Sequence, residues 1–413
     1  MGKIVNKASY LLSYMVQGVF SATLGTYLPI YLQDELSVGA VTLSIISFLA
    51  YFPLVLKPAL AILGDQRPLN GYKRKYWVII GTASFIICCL IAGNIPTDEY
   101  IILFTAIITL GYFAVAMFDA NLDGLMVDTL IRSKQRIPTV VLFMIFSQFG
   151  TMLASFAFGF ASDIGSVNQY LFMFTFCGIL AVILHLLTYW LNEPRIGESE
   201  EESVNEGDDA EQSYIEPHLS ISRTFIIASI IFALFLNADK MSDWVIEPYI
   251  TDRFGSGAFL TYNDWIAFFS MFTIVGYLVA LFLAKRKDPN SVRSQKVLII
   301  LLIAFAVYYI MFPFLTLNGL IIITAAIVLA GGMAMIQFID LFMVMSQRLK
   351  TNKKGAVYQV YLAMFTLGKL VARPLGTFLT SWIPAGTVIL LCAVPMLISS
   401  AALWVVSKEI IKK

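Results

Sequence analysis

The chain has 413 residues, of which 59% are hydrophobic and 13% charged, with 28 basic and 27 acidic side chains and a net charge of +1. A mean hydropathy of +0.80 excludes an ordinary soluble domain, in which about a quarter of the residues are charged. The near-zero net charge averages over two solvents and by itself says nothing about partners.

Twelve long apolar runs follow one another at 9–32, 38–62, 76–95, 100–128, 138–161, 169–191, 224–249, 265–284, 297–316, 319–346, 356–381 and 385–407. Each is about long enough to cross ~30 Å of hydrocarbon as a helix, and runs of this length satisfy their backbone in lipid only as helices. They are numbered here as spans one to twelve, which predicts an all-α membrane protein. The first run is too long for a cleavable signal and is expected to be retained. Basic residues fall in every second loop. With the N-terminus inside, Lys73, Arg74, Lys75, Arg132, Lys134, Arg195, Arg223, Lys285, Arg348 and Lys353 are all inner, and Arg253 is the one outer base. The excess of positive charge on one side predicts that both termini are cytoplasmic.

Span one carries Ser13, Gln17 and Ser21 on one stripe, and span two carries Lys57. Ionisable groups at membrane depth cost at least a few kcal/mol, so they face protein or water and are functional candidates. Span four places Asp119 and Asp123 one turn apart in its inner half, with Lys57 at comparable depth as countercharge. Two neighbouring carboxylates cannot both ionise cheaply away from water, so the pair is a candidate for ion coupling. The same pair could equally be a gate or simple neutralisation with Lys57. Asp128 lies near the inner surface and is expected to pair with Arg132 as part of a gate. Span five adds Gln148, Thr151 and Ser155; Gln17 and Gln148 are candidate substrate contacts, although small polar residues often serve helix packing.

Residues 196–222 form the one long polar stretch, with nine acids and no Lys or Arg between Gly197 and Pro217. Such a segment cannot bury a core and is expected to be a disordered cytoplasmic linker. It divides the chain into six-span halves, 1–195 and 223–413. A weak echo supports an internal repeat: Asp123-Gly-Leu-Met-Val127 in span four recurs as Asp340-Leu-Phe-Met-Val344 in span ten. Six-helix halves around a midplane site describe a secondary transporter. Span seven carries Asp239, Asp243 and Glu247 at helical spacing, with Lys240 beside them. Asp239, Asp243 and Asp340 join the ion-coupling candidates. Span eleven places Lys369 near the midplane and Arg373 one turn outward. Two cations on one face require an anion nearby, either a substrate or the span-seven carboxylates. Lys369, Arg373 and Lys240 are therefore candidates for an anionic substrate. Pro374 should loosen the helix beside Arg373.

The loop between spans two and three is the most specific local motif. It reads Ala61-Ile-Leu-Gly-Asp65-Gln-Arg67-Pro68-Leu-Asn-Gly71-Tyr72-Lys73-Arg74-Lys75-Tyr76. This resembles the signature loop of the major facilitator superfamily, and its longer form, with Lys57-Pro58 before it, resembles the folate–biopterin transporter and muropeptide permease branches. Glu193-Pro194-Arg195 is similar to that superfamily's ending of the first half. The resemblance implies twelve helices in two pseudo-symmetric halves, and a charge latch of Asp65, Lys73 and Arg74 that ties the halves together. Ala61 stands where the superfamily usually has glycine, and three extra residues separate Asp65 from Gly71.

No Walker-type loop, HExxH spacing or Ser/His/Asp order is present, so no enzyme activity is expected. Cys88, Cys89, Cys177 and Cys392 all lie within spans and read as packing residues, not metal ligands. The sequence thus predicts a monomeric secondary transporter without cofactor, metal or nucleic-acid partner. It would move a small amphipathic organic anion by alternating access, coupled to H⁺ or Na⁺. The competing reading is a non-transporting assembly factor or sensor on a transporter fold.

Overall fold

The computed structural model describes residues 2–28, 32, 38–95, 99–129, 136–163, 169–191, 193, 195, 223–243, 245–254, 262–284, 292–348 and 354–411. The acidic stretch 196–222 lies outside them, as do the side chains of Asp128, Arg132, Glu247 and Asp340. Among the described residues there is no strand, and one isolated bridge joins Leu69 to Tyr72. Among the described residues, ten stretches of helix are both long and apolar enough to cross a membrane, from Val41–Gln66 to Ala385–Lys408. The first and eighth runs are helical as well, over Gly2–Ala22 and Tyr262–Ala284.

Several spans are broken where the sequence removes a backbone donor or a clean helical register. Span one passes into a π-helical turn at Thr23–Tyr27. Span two is α-helical over Ala40–Tyr51, tightens to a 3₁₀ segment at Phe52–Leu56 around Pro53, and resumes over Lys57–Gln66. Proline lacks an N–H and clashes with the preceding turn, which accounts for the change of winding. Span seven consists of Arg223–Phe235, a 3₁₀ turn Ala238–Ser242, and Ile246–Phe254. Span eleven, Lys354–Leu379, runs through Pro374 without interruption. The loosening expected there is taken up inside a continuous helix.

The packing repeats with an offset of six spans. Span one packs on five as seven packs on eleven; two on four as eight on ten; three on six as nine on twelve. The repeat extends to atomic detail. A Cβ placed on Gly150 of span five would sit 1.9 Å from the Met15 carbonyl oxygen, and one on Gly368 of span eleven would sit 1.9 Å from that of Leu234. In both places only glycine lets the backbones meet. Gly368 lies 218 positions after Gly150 and Leu234 lies 219 after Met15. The sequence echo of Asp123 at Asp340 falls at nearly the same offset. Two buried clusters form the cores of the halves, one around Phe20, Phe85 and Phe118, the other around Phe232, Phe312 and Phe342. Aliphatic and aromatic side chains such as Leu90, Ile102, Ile300 and Trp382 stay more than half exposed, as a lipid-facing surface requires.

The halves meet through spans two and eleven on one side and five and eight on the other. Their cores interleave there: Leu370 of span eleven belongs to the first cluster, while Val140, Val141 and Ile145 of span five belong to the second.

Candidate functional site

In the first half, the polar centre is built on span four. Asp119, only 3% exposed, accepts the Lys57 ammonium on one oxygen and the Gln17 amide on the other. A carboxylate removed from water is tolerable only with such direct pairing. Asp123, one turn further along, accepts a hydrogen bond from Tyr14 Oη at 2.6 Å. Gln359, near the start of span eleven in the other half, is buried. Gln17 therefore sits beside the acidic pair as a hydrogen-bond donor to Asp119.

In the second half, the expected stripe of acids on span seven is a correction. The 3₁₀ turn Ala238–Ser242 breaks the i, i+4 relation, so Asp239 and Asp243 diverge. Asp239 turns into its own half and accepts Tyr309 Oη of span nine at 2.8 Å. Asp243 faces span eleven and accepts Arg373 Nε at 2.7 Å and Nη2 of the same guanidinium. Lys240 approaches the second oxygen of Asp243 at 3.4 Å. Arg373 is buried and also reaches across to the first half, donating through Nη1 to the Gly25 carbonyl at 3.1 Å and to Tyr51 Oη at 3.2 Å. Its guanidinium lies over the Tyr51 ring at 5.7 Å. Arg373 thus joins spans one, two, seven and eleven, a role suited to a planar fork of donors and closed to a lysine ammonium.

Lys369, one turn before Arg373, makes no ion pair with a carboxylate among the described residues. It lines a cavity of about 160 Å³ between spans two, seven and eleven, together with Tyr51, Asn237, Phe365, Arg373 and Pro374. A larger cavity of about 380 Å³ lies within the second half, against Asp239, Lys240, Phe305, Tyr308, Tyr309 and Phe338. Asn237 and Phe365 line both. Two further contacts cross between the halves: Ser44 Oγ donates to the Pro374 carbonyl at 3.1 Å, and Gln148 Nε2 donates to Ser270 Oγ at 2.7 Å.

At the end of the bundle carrying the signature loop, Asp65 and Arg74 form an ion pair at 2.8 Å. Gly71, with φ of +81°, and Asn70, with φ of +52°, make the tight turn between them. Arg74 is buried over Gly124 of span four, where any side chain would displace its guanidinium. Lys73 is exposed and makes no ion pair among the described residues. The described partners of this network lie in the first half, where it joins spans two, three, four and six. Glu193 accepts the backbone N–H groups of Arg74 at 3.0 Å and Lys75 at 2.8 Å, capping the start of span three. Lys75 Nζ returns the favour, donating to the Tyr189 and Leu191 carbonyls at the end of span six at 2.8 and 2.9 Å. Burial pushes the Glu193 carboxyl above the ordinary glutamate range, and the backbone donors offset part of that rise.

Tyr14, Tyr51, Tyr309 and Gln359 were not among the residues singled out from the sequence. Tyr14 lies three residues before Gln17 and shares its face, a signal that could have been read. Gln359 and Arg373 are two heptads apart on span eleven, which also places them on one face. Tyr309 lies on span nine, where nothing in the sequence separates it from lipid-facing aromatics.

The family model of the Major Facilitator Superfamily matches residues 10–372. A folate–biopterin transporter from Synechocystis sp. is 27% identical over 119 residues, covering 28% of this chain and 23% of that protein. The match therefore spans about a quarter of the relative's length. Among solved structures, the xylose transporter XylE from E. coli, in an inward-open conformation, aligns over 96% of this chain and 95% of its own with a TM-score of 0.71 and 12% identity. The nucleoside transporter NupG aligns over 98% of both chains with a TM-score of 0.65 and 16% identity. At these identities the likeness concerns the fold, and it agrees with the repeated six-span packing. The chain is an integral, multi-pass, non-enzymatic member of the major facilitator superfamily.

Proposed function

We propose that the protein is a secondary transporter that moves a small organic anion by alternating access, with Lys369 as its anion-binding cation. The observation that carries this reading is the setting of Lys369. It borders a cavity where spans of both halves meet, while the neighbouring Arg373 and Lys240 already have Asp243 as a partner. A desolvated ammonium without a counter-ion is costly, and a substrate carboxylate or phosphate would relieve it. The aromatic wall of the adjoining cavity suits an amphipathic solute. Arg373 then serves as the clasp between halves and not as the first substrate ligand, because its donors are engaged.

Ion coupling in this reading belongs to Asp119 and Asp123, where the acids, Lys57, Gln17 and Tyr14 form one polar centre. The transporters named above carry nucleosides, xylose or folate and biopterin, and their variety leaves the solute to experiment. The test is uptake of labelled organic anions into proteoliposomes under separate H⁺ and Na⁺ gradients. Lys369→Ala should weaken binding of a transported anion by about tenfold or more, the loss of a charge-assisted hydrogen bond. If activity returns when Lys369→Ala is combined with Asp239→Asn or Asp243→Asn, then Lys369 neutralises span seven and the substrate role is rejected.

A further inference from the structure

Asn237 stands where span seven breaks, between the α-helical stretch that ends at Phe235 and the 3₁₀ turn Ala238–Ser242. Asparagine at such a position ordinarily turns its side chain back onto the first N–H groups of the turn. Here the side chain makes no capping bond. It is buried, 7% exposed, and donates through Nδ2 to the Phe365 carbonyl of span eleven at 3.4 Å. That is long beside the usual ~2.9–3.0 Å. An amide offers two N–H donors and an acceptor oxygen, so this contact uses a small part of its capacity.

The two cavities lie on either side of this residue. Asn237 and Phe365 line both, so the cavities are adjoining chambers with this pair at the joint. The chambers differ in chemistry. The smaller, of about 160 Å³, holds Lys369. The larger, of about 380 Å³, has Phe305, Tyr308 and Phe338 in its walls and carries Asp239. Asp239 Oδ2 accepts Tyr309 Oη at 2.8 Å, and the neighbouring Lys240 pairs with Asp243. A phenol donates to a carboxylate without cancelling its charge. A solute entering the larger chamber therefore meets aromatic faces and an acceptor of N–H or O–H groups. A body with no donor would strip water from Asp239 at a cost and return nothing.

Building on the assignment of Lys369 as the anion-binding cation, we propose that the two chambers are one site for a two-part solute. Its anionic group rests on Lys369, and its flat body, bearing a hydrogen-bond donor, lies in the larger chamber against Asp239. Asn237 is the specificity-determining residue, whose amide reads the polar link between the two parts. Asp239 on this assignment serves recognition and not ion coupling.

The experiment measures binding to the purified protein and needs no ion gradient. Three probes separate the parts: benzoate has the anion alone on a small ring, hippurate adds an amide link, and 4-aminohippurate adds an N–H donor at the far edge. The wild type should bind 4-aminohippurate most tightly and benzoate least. Lys369→Ala should weaken all three by about tenfold or more. The near-isosteric Asn237→Leu should weaken the two hippurates about three- to tenfold. Val328→Phe, which narrows the larger chamber from a residue that lines that chamber alone, should weaken the same two. Asp239→Leu should bind both hippurates alike. Benzoate binding should survive these last three variants, which also shows that each is folded. If Asn237→Leu and Val328→Phe weaken benzoate as much as the hippurates, or leave all three probes unaffected, the two-chamber site is rejected while Lys369 stands. If Lys369→Ala leaves all binding intact, the anion-binding reading itself falls. No saturable binding of any probe, or 4-aminohippurate binding no tighter than benzoate, would reject the solute class.

Discussion

At the scale of single residues, the polar groups of this protein divide into those that hold one half together and those that span two. Glu193 is of the first kind. Its carboxylate caps span three, and removing an N-terminal cap costs roughly 0.5–2 kcal/mol. Because burial raises its pKa in the folded state, the folded protein binds that proton more tightly than the unfolded chain. Its contribution to stability therefore grows as the pH falls through the raised value and diminishes as the pH rises above it. Glu193→Gln keeps an acceptor and removes the buried charge. In thermal unfolding in detergent, it should match or exceed the wild type at neutral pH, with the gap narrowing in acid; Glu193→Ala should be less stable than both. A gap between wild type and Gln that widens on acidification would contradict this account. Such pairs were only partly legible beforehand. Lys57 with Asp119 could be read because opposite charges at matching depth have few alternatives in lipid, whereas Asp65 with Arg74 followed from the resemblance of the loop. The reciprocal caps of Lys75 and Glu193 use backbone atoms, which no sequence pattern displays.

At the scale of elements, hydropathy makes the spans readable, since lipid leaves the chain no other way to satisfy its backbone. Depth is readable with it, because residues climb at ~1.5 Å each along a helix. Azimuth is not. Asp239 and Asp243 have the spacing of one helical face and end on different partners, because one short 3₁₀ turn, Ala238–Ser242, suffices to redirect a side chain. The tightest contacts between elements are glycine notches, at Gly150 against Met15 and at Gly368 against Leu234. Alanine at either position forces two backbones apart, and overpacking of this kind costs typically ~1–3 kcal/mol. Gly150→Ala and Gly368→Ala should each lower the unfolding temperature by several degrees. Gly178→Ala, whose new methyl would rest 3.6 Å from Cys89 Cβ in ordinary contact, should leave it unchanged. Equal behaviour of all three would remove the notches as a source of packing specificity.

At the scale of the whole molecule, the distribution of basic loops predicts a cytoplasmic position for the end carrying Gln66 and an outer one for the end carrying Asn318. Single cysteines at these two exposed positions should react with an impermeant maleimide from opposite sides of the membrane in intact cells and inverted vesicles. Labelling of both from the same side would refute the orientation. The twelve-helix architecture could be read from the chain because it rests on twelve separate apolar runs, each with its own evidence. The site could not be read to the same depth, because its parts come from spans one, two, four, seven, nine and eleven and lie up to 348 positions apart, as Gly25 and Arg373 do.

The ties at the signature-loop end also bear on how the chain is made. Lys75, Glu193, Arg74 and Asp65, with the carbonyls of Tyr189 and Leu191, all precede residue 196. A ribosome that has just delivered span six has therefore delivered every partner these contacts need. The first six helices can clasp at this end while the rest of the message is still untranslated. What they lack until then is Leu370 in their core and the guanidinium of Arg373 at their far end. The nascent half thus waits with one end fastened and the other ajar, and span eleven, almost the last to emerge, completes it.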